Sequence, residues 1–352
     1  MSGIWKWLIQ GSAVFYVASA ILPLLKSDAW WIRGWDFPRL QFAIFGLATM
    51  LLLSFTTPGW PLHKLALVLF LAVSLALDAY RIVPYTPLVR LESLPADSDD
   101  PARKLSIFVA NVLQDNDDPQ PLLRLLAELS PDMVLLLEVN GRWMDKLSDL
   151  RSSYPHHVGQ SLENTYGIAL FSRLELIDAR VRHLVEPDVP SIHGLASLVS
   201  GEVVEIHGLH PKPPRPQSGG TTERDAELIL IAREARDSEH PVIVMGDLND
   251  VAWSHTTRLF RRISEMLDPR VGRGHFPTYP VALPFLRYPL DHVFHSRSLR
   301  LVEFKRLPDI GSDHFPVYAE FSLEPEGRLS QESPKADEQD HEEARDTLRR
   351  AE

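Results

Sequence analysis

The chain has 352 residues, no cysteine, and 36 Lys and Arg against 47 Asp and Glu, for a formal net charge of −11. This length supplies one to three domains and ample material for a core, and the lack of cysteine excludes disulfides and thiolate chemistry. The ratio of basic to acidic residues is 9 to 7 over residues 1–104, 22 to 30 over 105–323 and 5 to 10 over 324–352, so the central part lacks the broad basic footprint of a protein that holds long duplex nucleic acid.

Residues 1–83 read as a membrane anchor of three helices. Trp7 to Leu25 is uncharged and long enough to cross the hydrocarbon core. Leu40 to Leu62 is also uncharged, and Pro58, Gly59 and Pro61 are expected to end its helix near Phe55. Leu65 to Leu77 falls short of the core thickness and needs Asp78 to Arg81 at the interface, with Lys64 and Arg81 snorkelling outward. Trp5, Trp7, Trp30, Trp31, Trp35 and Trp60 fall at or beside the ends of these spans, where amphipathic rings settle. A soluble bundle would need a polar stripe along each helix, and a cleaved signal peptide would not be followed by two more apolar segments. The chain is therefore expected to be an integral membrane protein with the lipid bilayer as a partner. With three spans, Lys26, Arg33, Arg39, Arg81 and Arg90 lie on the side of the C-terminal part, which the positive-inside rule makes cytoplasmic. Two spans reverse the count, so both sides stay open.

Residues 84–104, rich in Pro and acids and without periodicity, read as a linker with too little apolar content to pack. Deleting residues 1–90 is accordingly expected to leave a soluble, folded domain. From 105 to 323, short apolar strand patterns end in polar side chains: Ile107 to Asn111, Met133 to Glu138, Val203 to His210, Val242 to Asn249 and Leu290 to His295, with Gly311 to His314 adding a further carboxylate and imidazole. Helical patterns alternate with them, notably Pro121 to Leu129 and Thr222 to Arg236, which predicts an α/β domain. A single Asp or Asn after a strand is usually a turn or cap residue. Six such segments rich in the oxygen ligands of a hard divalent cation point instead to a metal site. Residues 324–352 are expected to form an acidic, disordered tail, with at most a transient helix near Glu342 to Arg350.

The ordered set Asn111, Glu138, His210, Asp247 with Asn249, Asp291, and Asp313 with His314 resembles the endonuclease/exonuclease/phosphatase superfamily, in a membrane-anchored, bacterial-type form. Tyr166 to Arg173 (YGIALFSR) is similar to that family's strand of the form Gly-x-Ala-x-x-Ser-Arg. The resemblance implies a DNase I-like fold, a four-layer sandwich of two central β-sheets flanked by helices, here behind an anchor in a bacterial inner membrane. It implies a phosphodiesterase or phosphatase activity that needs a divalent metal, Mg²⁺ or alternatively Mn²⁺, with Glu138 as principal ligand and Asn111 and Asp313 beside it. Asp291 would orient His314, Asn249 and His210 would donate to phosphoryl oxygens, and either His314 or Asp247 would prime the water. His207, His292 and His295 are expected to be structural. No HExxH, P-loop or GxSxG pattern occurs.

Tethering and acidity favour a phosphorylated small molecule or lipid headgroup over nucleic acid as substrate. The alternatives are a nuclease of the same fold and a catalytically inert membrane-bound interaction module. Pro211 to Thr222, with Lys212 and Arg215, is the expected substrate-facing loop, and apolar Phe276 to Tyr288 an expected rim for lipid or substrate.

Overall fold

The computed structural model describes residues 3–25, 27–56, 61–214 and 220–352. Four helices come first: α1 (Gly3–Ile21), α2 (Trp30–Arg33), α3 (Arg39–Thr56) and α4 (Leu62–Ile82). α1, α3 and α4 pack through Ala13, Tyr16, Leu53 and Leu71, while large apolar side chains such as Trp7, Val14, Ile44, Phe55, Leu69 and Phe70 stay exposed. Two stretches, Ile4–Leu24 and Leu62–Tyr85, are long and apolar enough to cross a membrane, and Trp30–Asp36 with Arg39–Phe55, bent by 69° between them, make a third only if they act as one span.

The segment expected to be marginal, Leu65 to Leu77, thus lies inside a long helix. Asp78 and Arg81 do not end it because both are paired: the Tyr16 hydroxyl donates to Asp78 at 2.8 Å, Arg39 donates to Asp78 and Asp36, and Arg81 reaches Asp36 at 3.2 Å. Neither Arg81 nor Lys64 snorkels outward as expected. Both are buried, and the Lys64 ammonium donates to the Ser54 carbonyl at 3.3 Å. The expected stop at Pro58 and Gly59, and the positions of Lys26 and Trp60, lie outside the described residues.

The α/β part follows: β1 (Lys104–Asn111), α5 (Gln120–Leu129), β2 (Met133–Leu137), α6 (Gly141–Lys146), α7 (Leu150–Ser153), β3 (His156–Gln160), β4 (Ile168–Ser172), β5 (Leu176–Arg182), β6 (Ser191–Ser197), β7 (Val203–Leu209), α8 (Thr222–Asp237), β8 (Val242–Asp247), α9 (His255–Ser264), β9 (Asp291–His295), β10 (Leu299–Arg306), β11 (Val317–Leu323) and α10 (Glu338–Ala351). The strands form a six-stranded sheet, β10-β11-β1-β2-β4-β3, and a five-stranded sheet, β5-β6-β7-β8-β9. Alternate residues of both sheets, among them Ile107, Leu135, Ile206 and Met245, meet in a central core. The opposite face of the first sheet buries Leu122, Leu126 and Trp143 of α5 and α6, and that of the second buries Leu228, Ile231 and Phe260 of α8 and α9. Both sheets are therefore covered on both faces, a four-layer sandwich of the DNase I-like kind.

Two expectations need correction. Residues 84–104 are not an unpacked linker. Tyr85 is buried and its hydroxyl donates to the Ala252 carbonyl at 2.7 Å, Glu92 pairs with Arg261 and accepts from the Asp268 amide, Ser93 Oγ sits 2.7 Å from His295 Nε2, and Pro95 bridges to Leu301 of β10. The segment packs by spending its few polar groups on buried partners. Residues 324–352 are not disordered either. α10 has a capping box at Asp337 and Asp340, inserts Ala344 into the apolar layer of α8 and α9, and is fastened by Arg262 to Asp340 at 2.7 Å and His255 to Glu343. Ala344, with Ala336 and Leu348 packed beside it, and two ion pairs suffice where composition predicts too little burial.

Candidate active site

Strand direction gathers the polar ends. β1 and β2 run parallel, as do β7 and β8, so Asn111, Glu138, His210 and Asp247 leave their strands at one edge. β9 and β11 run antiparallel to β8 and β1. Asp291, first residue of β9 and in register with Asp247, and Asp313 and His314, just before β11, therefore arrive at that edge too.

Backbone strain concentrates there. Glu138 and Asn249 have φ of +62° and +50°, a left-handed conformation that costs a non-glycine residue about 1 kcal/mol or more. Two glycines let the strands close up: a Cβ on Gly167 would lie 1.8 Å from the Val139 carbonyl oxygen, and one on Gly246, at φ +144°, 1.9 Å from that of Leu209. That explains the glycines of YGIALFSR and VIVMGDLN.

The side chains interlock. Asn111 Nδ2 donates to Glu138 Oε1 at 2.9 Å and lies 3.4 Å from Asp247 Oδ2, linking the two sheets. Glu138 Oε2 accepts from the Gln114 amide at 3.2 Å. Asp247 Oδ1 accepts from the Asn249 amide at 2.9 Å, and Asn249 Nδ2 donates to the Pro211 carbonyl at 2.9 Å. His314 Nδ1 is 2.9 Å from Asp291 Oδ2, and its Nε2 is 3.6 Å from Asp247 Oδ2. His210 Nδ1 lies 3.3 Å from the Asp247 carbonyl oxygen and 3.9 Å from its carboxylate. Oδ1 of Asp291 and Oδ1 of Asp313 are buried with no hydrogen-bonding partner among the described residues.

Burial alone would lower the His314 imidazolium, but the Asp291 and Asp247 carboxylates outweigh it and raise its pKa to about 10. Burial raises Asp247 and Asp313 above the usual carboxylate range, against the lowering pull of His314 on each. The ring is thus a cation at neutral pH, bracketed by acids.

Glu138, His210, Asp247, Asn249, Asp313 and His314 line one cavity of about 310 Å³, whereas Asn111 and Asp291 stand behind them. Tyr279, in the apolar stretch expected to form a rim, is also in the wall, its ring 4.7 Å from that of His314. Tyr166, whose strand motif was legible but whose role was not, tilts against His210 at 5.8 Å. Gly34 and Phe37, between α2 and α3, complete the wall; no sequence signal links them to a site 100 residues or more away. Lys212 is paired with Glu186 and Asp188, so its charge is taken up, and Pro213 and Pro214 rather than Lys212 face the cavity. Arg215 and Gly219 lie outside the described residues.

Two donor sets could hold a cation. Asp247, Asp291 and His314 offer atoms within 4.8 Å of one another, yet His314 already spends Nδ1 on Asp291. Glu138 with Asp313 and Asn111 supplies the hard oxygens a Mg²⁺-like ion prefers, one of them, Asp313 Oδ1, lacking a donor. A separate group, His193, His207 and Glu234, is already engaged: His193 Nδ1 lies 2.7 Å from His207 Nδ1, His193 Nε2 meets Ser191, Glu234 pairs with Arg182, and His207 Nε2 lies 3.1 Å from the Glu205 carboxylate. His292 and His295, within β9, are buried, and burial lowers them to about 3 and about 4.

Known proteins resemble this chain over the same region. Two curated relatives, both UPF0294 proteins of Vibrio cholerae serotype O1, are 32% identical over 106 residues, 30% of this chain and 36% of theirs. The chain thus spans about a third of the length of the curated relatives it matches. Among solved structures, TDP2 from C. elegans superposes with a TM-score of 0.53 at 17% identity, covering 64% of this chain and 77% of that one. The human Nocturnin catalytic domain with bound sulfate gives 0.50 at 17% identity, with 66% and 97% covered. An endonuclease/exonuclease/phosphatase protein from Beutenbergia cavernae gives 0.51 at 17% identity, with 63% and 72% covered. At these identities the superpositions speak for the fold. The family model of the Endonuclease/Exonuclease/phosphatase family matches residues 108–314, more than half of the chain and all of the residues gathered at the sheet edge, and the chain belongs to that family.

Proposed function

We propose that this chain is a membrane-anchored hydrolase of phosphate esters that depends on a divalent metal, acting on a phosphorylated small molecule or lipid headgroup rather than on long nucleic acid. The observation that carries the reading is the cavity wall itself, where Glu138, Asp247, Asn249, Asp313, His210 and a His314 held by Asp291 meet in one place. The helices at the N-terminal end, long and apolar enough to cross a membrane, support the anchor. The acidic balance of residues 105–323 supports a small substrate over a polyanion.

Glu138, Asp313 and Asn111 would hold Mg²⁺ or Mn²⁺, and the ion when bound would neutralise charge on the phosphate oxygens. The protein's own groups account for the rest. His314, charged at neutral pH and fixed by Asp291, stabilises negative charge building on the phosphoryl group and leaves Asp247, 3.6 Å away, as the carboxylate suited to take the proton of the attacking water. Asn249 spends one amide hydrogen on Pro211 and keeps the other for a phosphoryl oxygen. His210 spends Nδ1–H on the Asp247 carbonyl, so its Nε2 donates to substrate only when the ring is charged. Tyr166 and Tyr279 brace the two imidazoles and exclude water from one side. The test is a panel of phosphate monoesters and diesters offered to the full-length chain with Mg²⁺ or Mn²⁺ and then EDTA. Hydrolysis that EDTA abolishes is the expected result, and no hydrolysis of any ester with either ion would overturn the proposal.

A further inference from the structure

The cavity wall is not made by the α/β part alone. Gly34 and Phe37 belong to the turn between the first and second apolar helices, and Phe37 precedes by two residues Arg39, where α3 begins. If α3 alone crosses a bilayer, with the 69° bend before it at the surface, chain connectivity puts Phe37 at that surface, within about 3 Å of rise of the helix start. The turn is locked in place: Phe37 packs edge-on against Tyr288 at 5.8 Å, and Trp253 Nε1 donates to the Asp36 carbonyl at 2.7 Å.

A second element reaches the same level, and its Tyr288 is the ring against which Phe37 packs. The Val281 amide donates to the Asp313 carbonyl at 2.9 Å, and the loop that follows carries its tip to α3, where Gln41 Nε2 donates to the Phe285 carbonyl at 3.0 Å. The tip bears three apolar side chains left in the open: Leu283 at 52%, Phe285 at 88% and Leu286 at 42% exposure. It abuts a helix whose own outward side chains, such as Ile44, are equally uncovered. Whatever apolar medium covers α3 is continuous with that tip. One end of the loop thus holds a candidate metal ligand while the other lies beside a membrane segment.

Resting on the phosphoesterase reading above, we propose that the substrate is a phospholipid of the membrane in which the chain sits. Its phosphate enters the cavity past Phe37, while Leu283, Phe285 and Leu286 lie among the acyl chains. The step is a hydrolysis: water oxygen bonds to phosphorus, the bond from phosphorus to one ester oxygen breaks, and that oxygen leaves as an alcohol with the proton that balances the one Asp247 takes from water. No other co-reactant is required. The lipid gains from confinement, since a substrate held in the same bilayer meets the site at a high effective concentration.

The chain has no cysteine, so single cysteines placed by Phe285→Cys and, as an aqueous control on an exposed turn, Val199→Cys can each carry one nitroxide. In full-length protein reconstituted into phosphatidylglycerol vesicles, the label at 285 is expected to collide more with dissolved oxygen than with a water-soluble nickel chelate, and the label at 199 the reverse. The unlabelled protein with Mg²⁺ is expected to cleave phosphatidylglycerol or phosphatidic acid in its own vesicle at least about ten-fold faster than a soluble aryl phosphodiester at equal bulk concentration. A label at 285 that reports water overturns the docking. Cleavage of the soluble diester with intact vesicle lipids overturns the lipid substrate and leaves the phosphoesterase reading standing. Absence of cleavage in every arm overturns both.

Discussion

At the scale of single residues, the sheet edge makes sharp demands. Glu138 is held in a left-handed backbone by the strand it terminates and accepts from both Asn111 and Gln114. Glu138→Gln keeps the shape and removes the charge, so the fold should survive while turnover is largely lost. Near-normal turnover in a Mg²⁺ titration extended to low concentration would remove Glu138 from the metal site. His314 and Asp291 form one unit, 2.9 Å apart. His314→Ala and Asp291→Asn should each cost on the order of 10²-fold in kcat or more, and the double variant should be little worse than His314→Ala alone, because groups that act together are not additive. Effects that multiply would separate the two. These residues were legible in the sequence because each interrupts an apolar strand run at its end, where a side chain in a buried sheet has nowhere to point but the edge. Phe37, Tyr279 and the neutralised Lys212 were not, since what a loop residue faces depends on contacts far away along the chain.

At the scale of elements, α8 and α10 show how a short pattern can mislead. α8 was legible as a helix, but not that it buries Glu227, whose carboxyl has an oxygen without a partner among the described residues and is pushed up to about 8, chiefly by burial and then by Glu186. Between pH 4.5, its ordinary value, and pH 8 the folded chain holds a proton that the unfolded chain releases. Stability contributed by the neutral form is therefore complete below pH 4.5 and lost as pH rises toward 8. Glu227→Gln should flatten this slope, raising the melting temperature at pH 8 with little effect at pH 5, an effect of about 1 kcal/mol or more. An unchanged slope would mean the carboxyl is ionised in the fold. α10 was expected as no more than a transient helix near Glu342 to Arg350, because its packing rests on Ala344, Leu348 and the Arg262 to Asp340 pair, not on a run of large apolar residues. Ala344→Asp should lower the melting temperature by about 5 °C or more through burial of an unpaired carboxylate. A melting temperature equal to that of the unaltered chain would mean α10 is not docked in solution.

At the scale of the whole molecule, the N-terminal helices and the α/β part are one structure. Composition separates them cleanly, and the change in charge balance near residue 104 invites a cut there. Hydrogen bonds from Trp253 to Asp36, from Tyr85 to Ala252 and from Thr222 to Asp28 cross that divide, as does the bridge between Ala29 and Gly220. Deleting residues 1–90 should therefore not yield an intact enzyme. The fragment is expected to lose most of its turnover on a soluble diester, as well as on lipid, and to expose the apolar layer around Trp253, Val251 and Leu290, which an increase in binding of a hydrophobic dye would report. A fragment with full turnover would restore the anchor to a mere tether.

The polar knot among the apolar helices bears on how such a chain reaches its place. Arg39 opens α3, Asp78 lies near the end of α4, Tyr16 sits in α1, and Asp36 joins them from the turn. Buried among the helices, an ionised side chain without a counter-charge is costly, and Asp78 of α4 has Arg39 as its one ion-pair partner among the described residues, so α4 does not settle well on its own. If the helices cross a membrane, α3 arrives with Arg39 already paired to Asp36, and α4 settles only where that pair is waiting. Release of α4 then depends on α3, and Arg39→Ala would strand Asp78 and leave α4 retained or degraded, an outcome readable from the fraction of newly made chain that resists alkaline extraction.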